Sequence, residues 1–368
     1  MKKIAVITAG LEKIFLGAKS GGGEVLLRNL INELTLMPDI ELSIFTPFEG
    51  ELTNKVIREN KNIKFFPVYA EPWFYTYITE IEKIAAAENF DKIINYNMFI
   101  PYKTTMLQCH SYAHRCSNTL FLFRFIKKYF DRIKLKVQYE NFGRTSKEDS
   151  FIAVSETIKK DYCKNLNITP DRIKTIYPGV RQAESYIQPE KKEAITFGAA
   201  VNSSINKGGY YFLSALGIVK LFGGRFKVKI IAPKYNKDLL MQLIIKIFNL
   251  KNNVEVLTYQ NDMTDFYKNI DCLVLPSLNE AFGLMVLEAM AYSKPALVSS
   301  SAGSAEIIDN NNDSFIFNRK SFINFIKMLK KVISIYNNDF GKFQEISLNA
   351  YRKSKKYTWQ RFAQEALD

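Results

Sequence analysis

The stretch that decides the fold is PSLNEAFGLMVLEAMAYSKPALVSS, Pro276 to Ser300. Just ahead of it and into it, DCLVLPS (271–277) is apolar enough for a central strand. LNEAFG (278–283) is a turn, LMVLEAMAYS (284–293) has helical periodicity, and PALVSS (295–300) is a second buried strand. A buried strand, a helix and another buried strand in this order make the crossover unit of a parallel sheet. Two carboxylates stand out in it: Glu280 in the turn and Glu288, eight residues on, inside the helix.

Working outward, the same alternation fills the chain. KIAVITA (3–9), IELSIFTP (40–47), NIKFFPV (62–68), DKIINYN (91–97), TTMLQCH (104–110) and SFIAVS (150–155) read as short buried strands, with GEVLLRNLINELTL (23–36) as an amphipathic helix between the first two. TIYPGV (175–180) reads as a strand ending at Pro178-Gly179, a hinge. The pattern then restarts with strands in EAITFGAA, FKVKIIAP, VEVLTY, DCLVLPS, PALVSS and SFIFN, and helices at about 209–221, 237–248 and 263–269. The expectation is an α/β protein of two similar halves with mostly parallel sheets. Its domains are 1–178, 179–352 and a terminal helical segment 353–368 in which Trp359 and Phe362 share a face. Ligands of such open sheets sit beyond the carboxyl ends of the strands, which places the expected site in a cleft between the halves.

Bulk composition sets outer limits. The 368 residues exceed what one hydrophobic core usually serves. Hydrophobic content is 47% against 24% charged, without an 18-residue apolar run. Glu12 and Lys13 break the opening apolar run, so the start reads as a strand and loop rather than a signal peptide. Four unevenly spaced cysteines are not a disulfide framework and suit a reducing cytoplasm. The net charge of +14 points to an anionic partner: nucleic acid, an acidic membrane or a phosphorylated substrate. Between Arg115 and Lys147 there are nine Lys or Arg and two acids, interleaved with aromatic and aliphatic residues. Arg124, Lys127, Lys128, Arg132, Lys134 and Lys136 would form the basic rim of an amphipathic helix. That helix either rests on an anionic bilayer or packs on its own domain. Nothing resembles a nucleic-acid-binding motif, and no nucleic-acid partner is expected.

The turn and helix after DCLVLPS have a chemistry of their own. A helix beginning near Phe282 turns free amides and the positive end of its dipole toward an anion, and Gly283 lets the backbone come close. Carboxylates accept paired hydrogen bonds from vicinal hydroxyls, so Glu280 and Glu288 around a phosphate cradle fit a ligand with two polyols, as in a nucleotide sugar. Singly, each has a plainer reading: Glu280 as an acid complementing the dipole, Glu288 as a solvated helix residue.

EAFGLMVLEAMA (280–291), followed by KPALVSS and by Gly303 and Glu306 in SAGSAEII, resembles the signature of the retaining glycosyltransferase family 4, of the two-domain GT-B fold. The likeness extends through SGGGEVLLRNLINEL (20–34), FIAVSETIKKDY (151–162), IYPGV (176–180), NKGGYYFLSAL (206–216) and YTWQRFAQEAL (357–367). From His110 to IYPGV it is most similar to bacterial lipopolysaccharide core glucosyltransferases. The resemblance implies two Rossmann-like domains facing across a cleft and transfer from a UDP- or GDP-linked sugar to a glycan or lipid-linked acceptor. It implies retention of configuration and no metal or other cofactor, while the cysteine usage places the protein in the cytoplasm and the basic segment offers a peripheral place on the inner face of the membrane as one of its two readings. Position by position, Glu288 would hold the ribose, Glu280 the transferred sugar, and the amides of Phe282, Gly283 and Leu284 the distal phosphate and sugar. Lys207 would neutralise the leaving diphosphate, Gly21, Gly22 and Gly23 would approach it from the first domain, and His110 would bond the donor sugar.

Three departures accompany the likeness. Val201 and Asn202 stand where the family places an arginine, YPGVR lacks the acid often found after the hinge glycine, and Ser293 replaces a common glycine. A catalytically silent, glycosyltransferase-like subunit is therefore the alternative. CHSYAHRC (109–116) also invites a zinc reading, but Cys109 and His110 would point to opposite faces of a strand, and the spacing fits no structural zinc pattern.

Overall fold

The computed structural model of the chain describes residues 1–8, 14–15, 21–69, 75–96, 105–108, 150–166, 168–201, 205–258 and 262–368. His110, the CHSYAHRC cluster and the basic candidates Arg124, Lys127, Lys128, Arg132, Lys134 and Lys136 lie outside the described residues. The chain divides into two units, Met1–Gly179 with Trp359–Asp368, and Val180–Thr358.

The first unit carries strands β1 (Lys2–Ile7), β2 (Ile40–Pro47), β3 (Lys64–Val68), β4 (Lys92–Tyr96), β5 (Thr105–Gln108), β6 (Ser150–Ala153) and β7 (Ile173–Thr175) in the order β3-β2-β1-β4-β5-β6-β7. Every pairing among them is parallel. Helices α1 (Gly22–Leu36), α2 (Glu51–Glu59), α3 (Tyr75–Glu88) and α4 (Glu156–Leu166) form the described crossovers. β1 is buried continuously from Ile4 to Ile7, as expected of a strand covered on both faces. α1 turns Leu26, Leu27, Leu30, Ile31 and Leu34 inward at helical spacing, and its first turn is closed by Glu24, whose carboxylate accepts from the Gly21 amide at 2.9 Å.

The second unit repeats the plan. β8 (Ile195–Ala200), β9 (Phe226–Ile231), β10 (Val254–Leu257), β11 (Cys272–Leu275), β12 (Ala296–Ser299) and β13 (Phe315–Phe317) pair in parallel in the order β10-β9-β8-β11-β12-β13. Counted within each unit, both sheets run 3-2-1-4-5-6, with one further strand in the first. The direction of winding therefore reverses between β1 and β4, and again between β8 and β11, and it is at such reversals that doubly wound sheets open a crevice for a ligand. The helices are α5 (Gly209–Leu221), α6 (Leu239–Ile247), α7 (Thr264–Lys268), α8 (Leu284–Ala291), α9 (Phe322–Asn338) and α10 (Phe340–Ser354). Phe212, Phe226, Phe315, Phe317 and Phe325 are fully buried in its larger core.

The last helix, α11 (Trp359–Leu367), belongs to the first unit, where it packs on α1. Lys92 Nζ donates to the Leu367 carbonyl at 3.0 Å, Lys174 Nζ to Glu365 at 2.7 Å and Arg361 Nη2 to Tyr177 at 2.7 Å. The chain thus passes between units twice, at Gly179–Val180 and at Thr358–Trp359, and within the second unit the Val180 amide bonds the Tyr357 carbonyl at 3.0 Å.

One local expectation needs correction. The strand expected in TIYPGV lies earlier, at Ile173–Thr175, because Pro178 has no amide to offer a ladder. In the turn Asp309–Asp313, Asp309, Asn310 and Asn312 are exposed while Asp313 is buried. Its carboxylate accepts from the Asp309 amide at 3.1 and 3.2 Å and faces Lys353 Nζ at 3.3 Å. No helix among the described residues is long and apolar enough to cross a membrane.

Candidate functional site

The expected site residues of the second unit fall on the two strands that flank its reversal. Lys207 ends a 3-10 turn (Ile205–Lys207) in the loop after β8, and Glu280 sits in the loop after β11. Two local features lock these loops together. The Leu278 amide donates to the Asn206 carbonyl at 2.7 Å. Gly208 has φ +69, and a Cβ there would lie 2.0 Å from the Pro276 carbonyl oxygen, so only glycine allows the contact. Across the join, Lys207 Nζ and Glu280 Oε2 are 2.6 Å apart, and Ser277 Oγ approaches the same oxygen at 3.3 Å. The pair is accessible rather than buried, with side-chain exposures of 35% and 18%.

Glu280 is held from behind as well. Its carbonyl accepts from the Gly303 amide at 3.0 Å, and the Phe282 carbonyl accepts from Ser304 at 2.8 Å, which fastens the turn to the 3-10 segment Gly303–Ile307 after β12. α8 starts at Leu284, where the helical periodicity of the sequence begins. Gly283 caps it at φ +94, where a Cβ would meet Leu275 Cδ2 at 2.6 Å, and Phe282 buries its ring in the turn. The helix still directs its amino end to the loop that carries Glu280, the arrangement that favours an anion.

Glu288 lies one turn into α8, half-buried, and its carboxylate accepts a hydrogen bond from Tyr267 OH. Burial pushes this carboxyl above the usual range, and the Tyr267 bond only partly offsets that. Tyr267, on α7, is itself held by stacking on Tyr292 at 5.5 Å, whose hydroxyl meets Thr264 Oγ1 at 2.9 Å. The sequence reading missed Tyr267: MTDFYKN shows only a short helix, and nothing in its spacing announces a partner for a glutamate 21 residues on.

Of the remaining candidates, Gly21 caps α1 in the first unit and Gly22 and Gly23 are its first helical residues, so the expected glycine loop is the amino end of a helix. It follows β1, the reversal strand of that sheet. Val201, where the family arginine was expected, is buried at 3% exposure. Beyond Gly208 opens a cavity of about 480 Å³ lined by Tyr210, Tyr211, Ser214, Arg319 and Phe322, with the Arg319 guanidinium 3.9 Å from the Tyr211 ring centre. Ser293 adopts φ +62 and is fully buried, which accounts for the glycine common there. Its Oγ accepts from the Ile187 amide at 2.9 Å.

With this geometry in place, comparison with known proteins is decisive. The model of the group 1 glycosyl transferases matches residues 186–352, and that of glycosyltransferase family 4 matches residues 20–184. The chain is a glycosyltransferase with a family 4 domain followed by a group 1 domain. This glycosyltransferase is 29% identical over 237 residues to an uncharacterized glycosyltransferase of Methanocaldococcus jannaschii, covering 59% of this chain and 58% of that protein. It is 26% identical over 243 residues to the O-antigen chain mannosyltransferase of Salmonella typhimurium, covering 63% and 65%. The matched stretch thus spans about three fifths of these curated relatives' length. Two solved structures superpose over nearly the whole chain and establish the GT-B fold. One is WaaG, a glycosyltransferase involved in lipopolysaccharide biosynthesis, with TM-score 0.71, 16% identity, and 99% and 98% of the two chains covered. The other is Anabaena HepE in complex with UDP and glucose, with TM-score 0.71, 15% identity and the same coverage.

Proposed function

We propose that this glycosyltransferase transfers a sugar from a nucleotide-sugar donor, UDP- or GDP-linked, to a glycan or lipid-linked acceptor in the synthesis of a cell-surface polysaccharide or lipopolysaccharide. One observation carries the reading. An ammonium and a carboxylate, Lys207 and Glu280, are held 2.6 Å apart on the two loops of a sheet reversal, beside a helix that carries a second glutamate one turn in.

In this reading the bond from the anomeric carbon to the diphosphate oxygen breaks while the acceptor oxygen attacks from the same face, retaining configuration. The acceptor proton passes to the leaving phosphate oxygen. Lys207 and the amides of Gly283 and Leu284 stabilise the charge that grows on the diphosphate. Glu280 orients the transferred sugar and Glu288 the ribose. Gly21 to Gly23 and His110, in the first unit, are the further candidates for contact with the donor, and the protein works at the inner face of the cytoplasmic membrane. Arg124, Lys127, Lys128, Arg132, Lys134 and Lys136 meet the anionic bilayer there. The relatives' O-antigen and lipopolysaccharide roles and the UDP seen with HepE support the substrate class.

The test is a thermal-shift screen over nucleoside diphosphates and nucleotide sugars, followed by slow donor hydrolysis. One donor is expected to stabilise the protein selectively, and Glu280→Ala or Lys207→Ala to abolish its hydrolysis. A protein that binds and hydrolyses no donor would instead be a catalytically silent subunit, the reading favoured by the buried Val201 in the arginine position.

A further inference from the structure

α6 carries an apolar face that the fold leaves uncovered. Met241 and Ile245 pack it onto the core at 1% and 7% exposure. On the opposite side Leu239, Leu243 and Ile247, spaced by four, form a stripe with exposures of 78%, 50% and 65%, and Leu240 widens it at 50%. At the helical rise the stripe is roughly 12 Å long. Next to it, α5 ends in another exposed pair, Leu221 and Phe222, at 73% and 72%. Lys220 donates to the Asn249 carbonyl just beyond α6, and to Asn253 Oδ1 at 2.8 Å, so the two helix ends adjoin.

The charges around this stripe have one sign. Between residues 234 and 251, Lys234, Lys237, Lys246 and Lys251 are all exposed. The one acid in that span, Asp238, is buried, where it caps α6 through the Met241 amide at 3.0 Å and accepts from Tyr210 OH. Lys246 borders the stripe on the helix itself. Exposed leucines flanked by lysines, with the only carboxylate turned inward, complement a surface that is apolar beneath and anionic above. Between residues 234 and 251 no carboxylate is exposed, so the charge this face offers a partner is positive throughout.

We propose that the exposed face of α6 is a docking surface for an anionic lipid bilayer, with Leu239, Leu240, Leu243 and Ile247 entering the headgroup boundary and Lys237 and Lys246 pairing with lipid phosphates. It adds to the second unit a membrane contact independent of residues 124–136, and it does not rest on the glycosyltransferase chemistry.

The test is co-sedimentation of the full chain with vesicles of phosphatidylglycerol and phosphatidylcholine, compared with phosphatidylcholine alone. Wild type and the K127E/K128E/K134E/K136E variant are each measured with and without L243E/I247E, and all melting curves are compared. In both backgrounds L243E/I247E is expected to weaken binding to the anionic vesicles about tenfold or more. K237E/K246E is expected to weaken it at low salt and much less at high salt. Because these positions are exposed, the melting temperatures should coincide, and the milder L243A/I247A should weaken binding in the same direction. Donor hydrolysis without vesicles should not change, so failure of the lipid contact and failure of the proposed chemistry are read separately. The proposal is overturned if L243E/I247E sediments like its parent in both backgrounds, or if wild type binds neither vesicle. It is also overturned if light scattering shows a dimer that L243E/I247E converts to monomer, since a second copy would then occupy the face.

Discussion

Gly208 shows how much of the site depends on a single missing side chain. Its φ of +69 and the 2.0 Å approach of the Pro276 oxygen to its would-be Cβ leave no room for alanine. Gly208→Ala should destabilise the protein by about 2 kcal/mol or more and separate the loops carrying Lys207 and Glu280, so donor-induced stabilisation should fall further than the melting temperature alone explains. Ser293 is the opposite case, a strained residue retained. Ser293→Ala keeps the left-handed backbone and orphans the Ile187 amide, at a cost of about 1–3 kcal/mol in denaturant unfolding, whereas Ser293→Gly relieves the strain and should cost less. Glu288 joins stability to function. Its carboxyl is raised in the folded state, so its contribution to stability is full below the ordinary value of 4.5 and is lost as pH rises through the raised one. Glu288→Gln can still accept from Tyr267 and carries no charge to desolvate. It should be more stable than wild type at neutral pH and equal at low pH, while binding a nucleotide sugar about tenfold more weakly. At this scale the sequence was informative about identity and blind to company. Glu280, Glu288 and Lys207 were legible, but Tyr267 and Ser277 became visible only when the sheet brought α7 and the β11 loop to the two glutamates.

Elements were legible in proportion to how strongly a buried pattern marked them. Parallel strands hidden on both faces are uninterrupted apolar runs, and β1, β2, β8, β9 and β11 fell where those runs are. α9 and α10 were missed although FINFIKMLKKVISIY repeats apolar residues at helical spacing, because the expected alternation of strand and helix had already ended at β13. Buried polar anchors between elements were not legible. Asp271, at 3% exposure, accepts from the Thr196 amide at 2.8 Å and from Lys192 at 3.1 Å, joining the start of β8 to the start of β11. It also offsets the charge of Lys294, whose ammonium burial pushes below the usual lysine range. Asp271→Ala should therefore cost about 3–5 kcal/mol in equilibrium unfolding, more than most exposed ion pairs could. The damage falls at the strand ends opposite Lys207 and Glu280, so donor affinity of the remaining folded protein should be nearly unchanged.

The alternation of buried runs and helical patterns along the whole molecule, restarting after Gly179, foretold two similar parallel halves. It could not foretell that both sheets share one strand order, because order is fixed by the hand of the crossovers and by which strands bury which helices. The two units should also be separable in experiment. Phe362 is fully buried and belongs to the first unit although it follows the whole second unit in the chain. Phe362→Ala should lower the first unit's stability by about 3–5 kcal/mol and leave the second unit's transition in place, seen in calorimetry as two resolved melting events where wild type has closer ones.

Because α11 follows the entire second unit in the chain, the two units cannot be completed in the order in which they begin. The ribosome synthesises the whole first sheet and then the whole second unit before it releases Trp359 and Phe362. The second unit is continuous in the chain and can close while translation continues. The first must wait, with the face of α1 that receives α11 open to solvent, until residues 359–368 emerge. A nascent chain halted just before Trp359 would therefore be protease-resistant in its later half and vulnerable in its earlier one, the reverse of the usual sequence of maturation.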